Sequence, residues 1–282
     1  MLALNLHSLG RTEVLLDGQP ISWRAESARD LVLFLLSCPE GQSRDEIIDA
    51  LWHEDPSAAT GNRFRVTLHR ARTALGSPST IVEEHGMYRL SDDVLRSSDV
   101  FKLYAALRDA EHADGDARYS ALSRAVDAYA GDFLPHIRTD WAHRAREEHR
   151  SAYTRARIER SLLNCEHLHC DLAVQDLVAA LRSDPFLGEN YHQKLMTCLS
   201  MVEGKYAATE HYRRFVRFLQ DDLSDTPMPE TVALAQQVKA GERLCTRKPG
   251  DPPRGDTPLT HNCPLTSDGH CPGQYAALLQ LA

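Results

Sequence analysis

One stretch of the sequence, residues 61–76, has the side chains of an anion-binding surface. GNRFRVTLHRARTALG carries four arginines and no acidic residue, although the 282-residue chain has a net charge of −8. Arginine donates paired hydrogen bonds to phosphate and to guanine, and asparagine can pair in a similar way with adenine. A basic run is also common on the solvated face of an ordinary amphipathic helix. The elements predicted on either side of this stretch distinguish the two interpretations.

Helical periodicity divides this stretch into two faces. The apolar positions recur at helical spacing and predict a stripe buried in a core. They are Phe64, Leu68, Ala71 and Leu75. We expect the rest of the helix to be exposed, and it supplies most of the candidate DNA contacts. These are Asn62, Val66, His69, Arg70 and Thr73 on the opposite face, with Arg63, Arg65 and Arg72 on its flanks.

The arginines are predicted to have different roles. Arg70 faces away from the apolar stripe, so we assign it to a base edge, whereas Arg63 lies on the flank and is assigned to a phosphate. The stretch contains no acid that could pair with either side chain. This favours an anion outside the fold as the partner.

The neighbouring elements occur in a characteristic order. Residues 2–22 have short apolar runs and an Asp-Gly turn, which predicts strands. Residues 27–41 predict a helix with Ser27 as N-cap, and residues 43–52 predict another with Ser43 and Glu46 at capping-box spacing. After the basic helix, residues 80–90 predict a hairpin that turns at His85 and Gly86, and His85 is a further candidate for DNA contact. Strands, three helices and a hairpin in this order indicate a winged helix-turn-helix.

Residues 97–245 carry almost only helix signals. Asp99 and Asp116 are predicted N-caps, and Trp141 and Tyr153 are predicted core residues of one long helix over 139–168. Three more helices are predicted over 171–185, 188–204 and 205–223. Helix pairs at a spacing of roughly 34 residues are typical of tetratricopeptide stacks. The aromatic residues of the last predicted helix are expected to pack between helices. They are Tyr206, Tyr212, Phe215 and Phe218.

These segments together resemble a known family. Residues 43–52, 62–76 and 80–90 are similar to the OmpR-type winged helix of the SARP family of bacterial transcription activators. DVFKLYAALRDAE, RAVDAYAGDFL and GKYAATEHYRRF resemble the second module of that family, the bacterial transcriptional activator domain. The resemblance extends over about residues 2–240 and implies sequence-specific binding to promoter DNA. It also implies pairing of two copies on repeated half-sites and contact with RNA polymerase.

The expected architecture is mostly α-helical with a small β component. We predict a winged helix-turn-helix DNA-binding domain in residues 1–96, a tetratricopeptide-like activator domain in 97–245 and a disordered tail in 246–282. The expected function is that of a transcriptional activator that binds promoter DNA as a homodimer. The alternative is a helical-repeat adaptor whose winged helix binds protein. It is favoured by the acidic balance of residues 1–96, with 10 Arg, no Lys and 14 Asp plus Glu.

Composition and motifs argue against other classes. The longest apolar run is LVLFLL, too short to span a membrane. The N-terminus lacks the features of a signal peptide, and the seven scattered cysteines fit a reduced, cytoplasmic protein. With no phosphate loop and no catalytic motif, we expect neither an enzyme nor a cofactor. Two sets of His and Cys lack a clean four-ligand pattern, so no metal is expected. They are CEHLHC at 165–170 and, in the tail, His261, Cys263, His270 and Cys271.

Overall fold

The computed structural model describes residues 3–245, so the predicted tail 246–282 lies outside the described residues. The chain divides into two compact units, and the boundary in the sequence falls between Ala152 and Tyr153. The described residues are mostly helical, and their strands lie within the first 90 positions. This confirms the predicted fold class.

The first unit begins with a three-stranded antiparallel sheet in the order β1-β2-β3. Its strands are β1 (Leu4–His7), β2 (Glu13–Leu16) and β3 (Gln19–Pro20). Asp17 and Gly18 join β2 to β3 with φ values of 51° and 77°, as a two-residue hairpin turn of the primed type requires. Leu6 and Val14 are paired across the ladder and both are buried. The predicted hairpin at the Asp-Gly turn is confirmed.

Three helices follow and form the core of the winged helix. They are α1 (Glu26–Ser37), α2 (Arg44–Trp52) and α3 (Ala58–Ala74). Helix α1 is buried from Leu31 to Ser37 and packs against both other helices. The predicted apolar stripe of the basic helix is confirmed, because none of its four residues is more than 8% exposed. A buried stripe on α3 fixes which of its side chains point outward.

Two capping boxes begin the second and third helices. The Ser43 hydroxyl accepts from the Glu46 amide at 3.3 Å, and the Glu46 carboxylate accepts from the Ser43 amide at 2.8 Å. These hydrogen bonds lower the pKa of Glu46. Ser57 and Thr60 make the same reciprocal pair at the start of α3, which was not predicted because the usual partner is Glu or Gln. The predicted N-cap Ser27 is wrong, since α1 begins at Glu26 and has no side-chain cap.

A second sheet forms the wing, in the order β4-β6-β5. The predicted hairpin is present as β5 (Ile81–Glu84) and β6 (Met87–Leu90), joined by His85 and Gly86 with φ values of 52° and 79°. Strand β4 (Gln42–Ser43) pairs with the other edge of β6. It was not predicted because two residues are too few to show a strand periodicity.

The remainder of the first unit is helical. It contains α4 (Asp92–Arg96), α5 (Asp99–Glu111), α6 (Gly115–Ala128) and the first part of α7 (Asp140–Glu166). Both predicted caps are wrong here. Ser98 caps α5 by accepting from the Phe101 amide at 3.0 Å, and α6 begins at Gly115 with no side-chain cap.

Asp99 instead joins α5 to the N-terminal segment. Its buried carboxylate accepts hydrogen bonds from the Ser8 amide at 2.7 Å, the Ser8 hydroxyl at 2.7 Å and the Leu9 amide at 2.9 Å. A carboxylate is stable in such a buried position only when its oxygens are satisfied in this way. Asp99 therefore holds together segments 90 residues apart in the sequence.

His149 on α7 is a buried titratable group of the same unit. Its Nδ1 lies 3.1 Å from the Tyr104 hydroxyl, and the Phe133 ring packs edge-on against it at 4.8 Å. Complete burial lowers its pKa from 6.5 to about 3. The folded protein therefore holds this imidazole neutral throughout the mildly acidic range.

We expect His149 to make the first unit less stable as the pH falls. Between pH 6.5 and about 3 the unfolded chain binds a proton at His149 that the folded chain does not. Unfolding is then favoured by about 1.4 kcal/mol for each pH unit. Urea unfolding between pH 6 and 5 measures this slope, and His149→Gln should reduce it by about that amount. Equal slopes in the two proteins below pH 6 would contradict the assignment, whereas above pH 7 the slopes should coincide.

The second unit is helical throughout its described part. The end of α7 is followed by α8 (Cys170–Ser183), α9 (Glu189–Val202), α10 (Lys205–Leu223) and α11 (Pro229–Ala240). Helix α9 packs against α8, α10 and α11 around a core that includes Leu177, Met196 and Val238. Helix α11 lies inside the region predicted to be helical, but it was not predicted as a separate element. Pro229 is its first residue, a position that favours proline.

The predicted aromatic core positions have mixed outcomes. Tyr153 and Phe215 are buried, and the half-buried Trp141 packs edge-on against Phe34 at 5.4 Å. Tyr206 does not pack between helices as predicted, since 82% of it is exposed at the first turn of α10. Within residues 3–245, no helix has both the length and the apolar character that a membrane span needs.

Candidate nucleic-acid interface

The exposed side of α3 combines base-reading and phosphate-binding side chains. We define the recognition face as six of the seven predicted residues that are exposed on this helix, leaving out Arg63, whose guanidinium pairs with Glu54. They are Asn62, Arg65, Val66, His69, Arg70 and Thr73. The helix contains no acid, and an exposed fraction of 40% is high for the aliphatic side chain Val66. The recognition face therefore offers donors, positive charge and one apolar contact to a partner.

Two arginines of the recognition face are available for an external anion. Arg65 and Arg70 make no hydrogen bond or ion pair to any other residue in the described range 3–245. The Thr73 hydroxyl donates to the His69 carbonyl at 2.8 Å. Arg65, His69 and Thr73 also line an open hollow of about 450 Å³ beside the turn at Pro78. A concave surface next to unpaired arginines suits an extended anionic chain.

Arg63 has a partner inside the fold, contrary to the expectation. Its guanidinium pairs with the Glu54 carboxylate at 2.7 Å and lies 4.4 Å from the centre of the Trp52 ring. Both partners come from the end of α2 and the turn before α3, outside the basic stretch. The assignment of Arg63 to a phosphate stays a prediction, and the Glu54 carboxylate competes with any external anion for its guanidinium.

Arg72 connects α3 to the wing. Its Nε and one terminal nitrogen donate to the Ile81 carbonyl at 3.0 and 2.6 Å, and the side chain is half-buried. Both bonds go to the start of β5, so Arg72 fixes the hairpin relative to α3. A predicted DNA contact thus has a positioning role within the winged helix.

His85 lies at the exposed turn of the wing and follows the acidic residues Glu83 and Glu84. Glu84 pairs with Arg89 at 3.2 Å, and Arg89 also binds Asp92 at 2.7 Å. Burial, followed by a hydrogen bond to Glu83, raises the pKa of Tyr88. The acids of the hairpin therefore have partners within the wing, and His85 is its one predicted DNA-binding side chain.

These internal partners could not be predicted from the sequence. Glu54 and Arg63 are nine residues apart across a turn, a separation that no helical or strand period connects. Arg72 binds a backbone carbonyl. Because every residue has one, the residue types do not indicate which carbonyl is the partner. The exposed set on α3 was predictable because it follows from the helical period alone.

Relatives with similar sequences are regulatory proteins. The chain is 29% identical over 266 residues to the regulatory protein AfsR of Streptomyces griseus, covering 89% of this chain and 26% of the relative. It is 28% identical over 249 residues to AfsR of Streptomyces coelicolor, covering 84% of this chain and 24% of the relative. The chain thus spans about a quarter of the length of these relatives.

A solved structure has the same fold. It is EmbR of Mycobacterium tuberculosis, in complex with a low-affinity phosphopeptide, with a TM-score of 0.68 and 22% sequence identity. The similarity covers 87% of this chain and 67% of that one. At this identity the comparison supports the order of a winged helix and a helical domain.

The family is shown by the helical part of the chain. Residues 98–239, half of the sequence, match the model of the bacterial transcriptional activator domain. This range begins at the cap of α5 and ends within α11. The match agrees with the resemblance found in the sequence and with the two regulatory relatives. The chain therefore belongs to the bacterial transcriptional activator domain family, as a transcriptional regulator of the SARP type.

Proposed function

We propose that this regulator binds promoter DNA through the recognition face of α3, inserted into the major groove. The observation that carries the proposal is a helix face with six exposed side chains and no acid, on which Arg65 and Arg70 have no partner in the described part of the chain. In helix-turn-helix domains, the second helix of the motif lies in the major groove. Because the opposite stripe of α3 is buried, this face points outward.

Four residues of the recognition face have a proposed contact. Arg70 donates to a guanine edge, Asn62 pairs with an adenine and Val66 meets a thymine methyl group. Arg65 binds a phosphate, which positions the protein without reading sequence. Arg63 remains a proposed phosphate contact, but its ion pair with Glu54 would have to open or be shared.

The helical domain is proposed to make the activator's other contacts. Membership of the family supports binding to RNA polymerase and the pairing of two copies on repeated half-sites in the cytoplasm. Since the chain spans only about a quarter of its curated relatives, their full activities are not assumed for it. Transcription in vitro from a bound promoter, with and without the protein, tests activation directly.

The two kinds of arginine should affect DNA binding differently. A binding site is first selected from a random duplex library with the full chain, and affinities are then measured over a range of salt concentrations. Arg70→Ala should cost about 1–3 kcal/mol on the selected site and relax specificity at one base pair. Arg65→Ala should weaken binding to all sequences alike and reduce the salt slope by about one unit.

Arg213→Ala on α10 is the matched control. Arg213 is also exposed, so its loss removes the same charge from the second unit and should leave the specificity unchanged. Wild-type affinity and salt slope in both α3 variants would refute the proposed interface. A library that yields no enriched sequence would contradict sequence-specific binding and favour the adaptor alternative.

A further inference from the structure

Four cysteines line one cavity in the second unit. The cavity has a volume of about 780 Å³ and is bordered by the end of α7, by α9 and by α11. Cys165 lies in the last turn of α7, Cys170 is the first residue of α8, Cys198 belongs to α9, and Cys245 follows α11. Cys198 and Cys245 are distant in the sequence from Cys165 and Cys170, so the fold itself brings the four thiols to one cavity.

The geometry does not favour a metal site at these cysteines. Among residues 3–245, no group of three or more His, Cys, Asp or Glu side chains is arranged to hold a metal ion. The cysteines of this range are all outside disulfides. The chemistry that remains for adjacent thiols is their oxidation to a disulfide.

Cys165 and Cys198 are the pair in direct contact. Their thiols are hydrogen-bonded, and this bond, together with burial, raises the pKa of Cys198. Burial, and then the proximity of Cys165 and Cys245, raises the pKa of Cys170. The contact between Cys165 and Cys198 brings together one sulfur atom from α7 and one from α9, both at the wall of the cavity.

We propose that Cys165 and Cys198 form a reversible disulfide when a low-molecular-weight disulfide enters the cavity. Cys165 is half-buried and lines the cavity, whereas Cys198 is only 8% exposed, so Cys165 is the sulfur that the oxidant reaches first. The product joins the end of α7 to α9. This thiol pair is a modification site separate from the recognition face.

The exchange is balanced in two steps. The thiolate of Cys165 attacks one sulfur of the small disulfide, whose S–S bond breaks and releases one thiolate that takes up the proton. The Cys198 sulfur then attacks the Cys165 sulfur of the mixed disulfide, and the departing small thiolate takes up the Cys198 proton and leaves as the second small thiol. Two protein thiols are oxidised, and one small disulfide is reduced to two thiols.

Peptide mapping of the full chain tests the proposal. The folded protein is treated with excess oxidised glutathione at pH 8, quenched in acid, alkylated and digested with trypsin. Cleavage after Arg160, Arg182, Lys194 and Lys205 gives one peptide with Cys165 and Cys170 and another with Cys198. We expect these two peptides to be linked and to separate after treatment with dithiothreitol.

Variants identify the cysteine that forms the link. In Cys170→Ser the two peptides should still be linked. In Cys165→Ser the yield of linked peptides should fall at least tenfold. Far-UV circular dichroism should show that the Cys165→Ser variant is folded. The proposal is refuted if no link forms, if it forms only in urea, or if Cys170→Ser abolishes it while Cys165→Ser does not. If Cys165→Ser does not fold, the Cys170→Ser protein and the urea comparison still decide the outcome.

Discussion

Replacing Asp176 with alanine is expected to lower the free energy of unfolding of the second unit by about 3–5 kcal/mol. Asp176 on α8 is 1% exposed. Its carboxylate accepts from Arg157 at 2.7 Å and from two nitrogens of Arg160 at 2.6 and 2.9 Å. The Asn164 amide donates to the same group at 3.0 Å. One buried anion thus satisfies three side chains of α7.

The large effect follows from what remains after the carboxylate is removed. Two guanidinium groups, each largely buried, would face each other without the anion that compensates their charge. The cost of leaving such charges uncompensated exceeds the net value of the original ion pair. Asp176→Asn keeps the volume but removes the charge, so most of the loss should persist in that variant.

The measurement can separate the two units. All three tryptophans of the chain, Trp23, Trp52 and Trp141, lie in the first unit, so their fluorescence in urea reports on that unit. The circular dichroism transition includes the helices of the second unit. Asp171→Ala, an exposed position on α8, is the control and should change the stability by less than about 0.5 kcal/mol. A circular dichroism midpoint for Asp176→Ala equal to that of the control would contradict the prediction.

Features that depend on local sequence were predictable. The Ser43 capping box and the buried stripe of α3 each follow from the spacing of residues within one helix. The Asp-Gly turn also follows from local chemistry, because its positive φ values select those residue types. Such rules need no knowledge of distant partners.

The wrong assignments involve partners that the sequence does not reveal. Asp99 stands where an N-cap is expected, but the neighbouring Ser98 takes that role and Asp99 binds Ser8 and Leu9 instead. Both residue types cap helices well, so only the tertiary contact distinguishes them. The internal partner of Arg63 was not predictable for the same reason, since its ion pair with Glu54 depends on how the turn between α2 and α3 folds.

The second large effect is expected at Phe64, where α3 meets the wing. The Phe64 side chain is 1% exposed, and its ring packs edge-on against Tyr88 with the ring centres 4.9 Å apart. Tyr88 lies on β6, the central strand of the wing, and is paired with Gln42 on one side and Glu83 on the other. Phe64 therefore supports the recognition helix and the hairpin at the same time.

Phe64→Ala should lower the free energy of unfolding of the first unit by about 3–5 kcal/mol, because it removes a buried ring and leaves a cavity under α3. Phe64→Leu fills most of that space and should cost less than about 1.5 kcal/mol. Urea unfolding followed by tryptophan fluorescence measures both variants in the unit that holds the three tryptophans. A wild-type midpoint in the alanine variant would show that the ring contributes no packing there. Phe64 is buried, so it cannot contact DNA itself. Any loss of DNA affinity in folded Phe64→Leu would therefore come from a displaced recognition face. Arg70→Ala leaves the core intact and shows, for comparison, the effect of losing a direct contact.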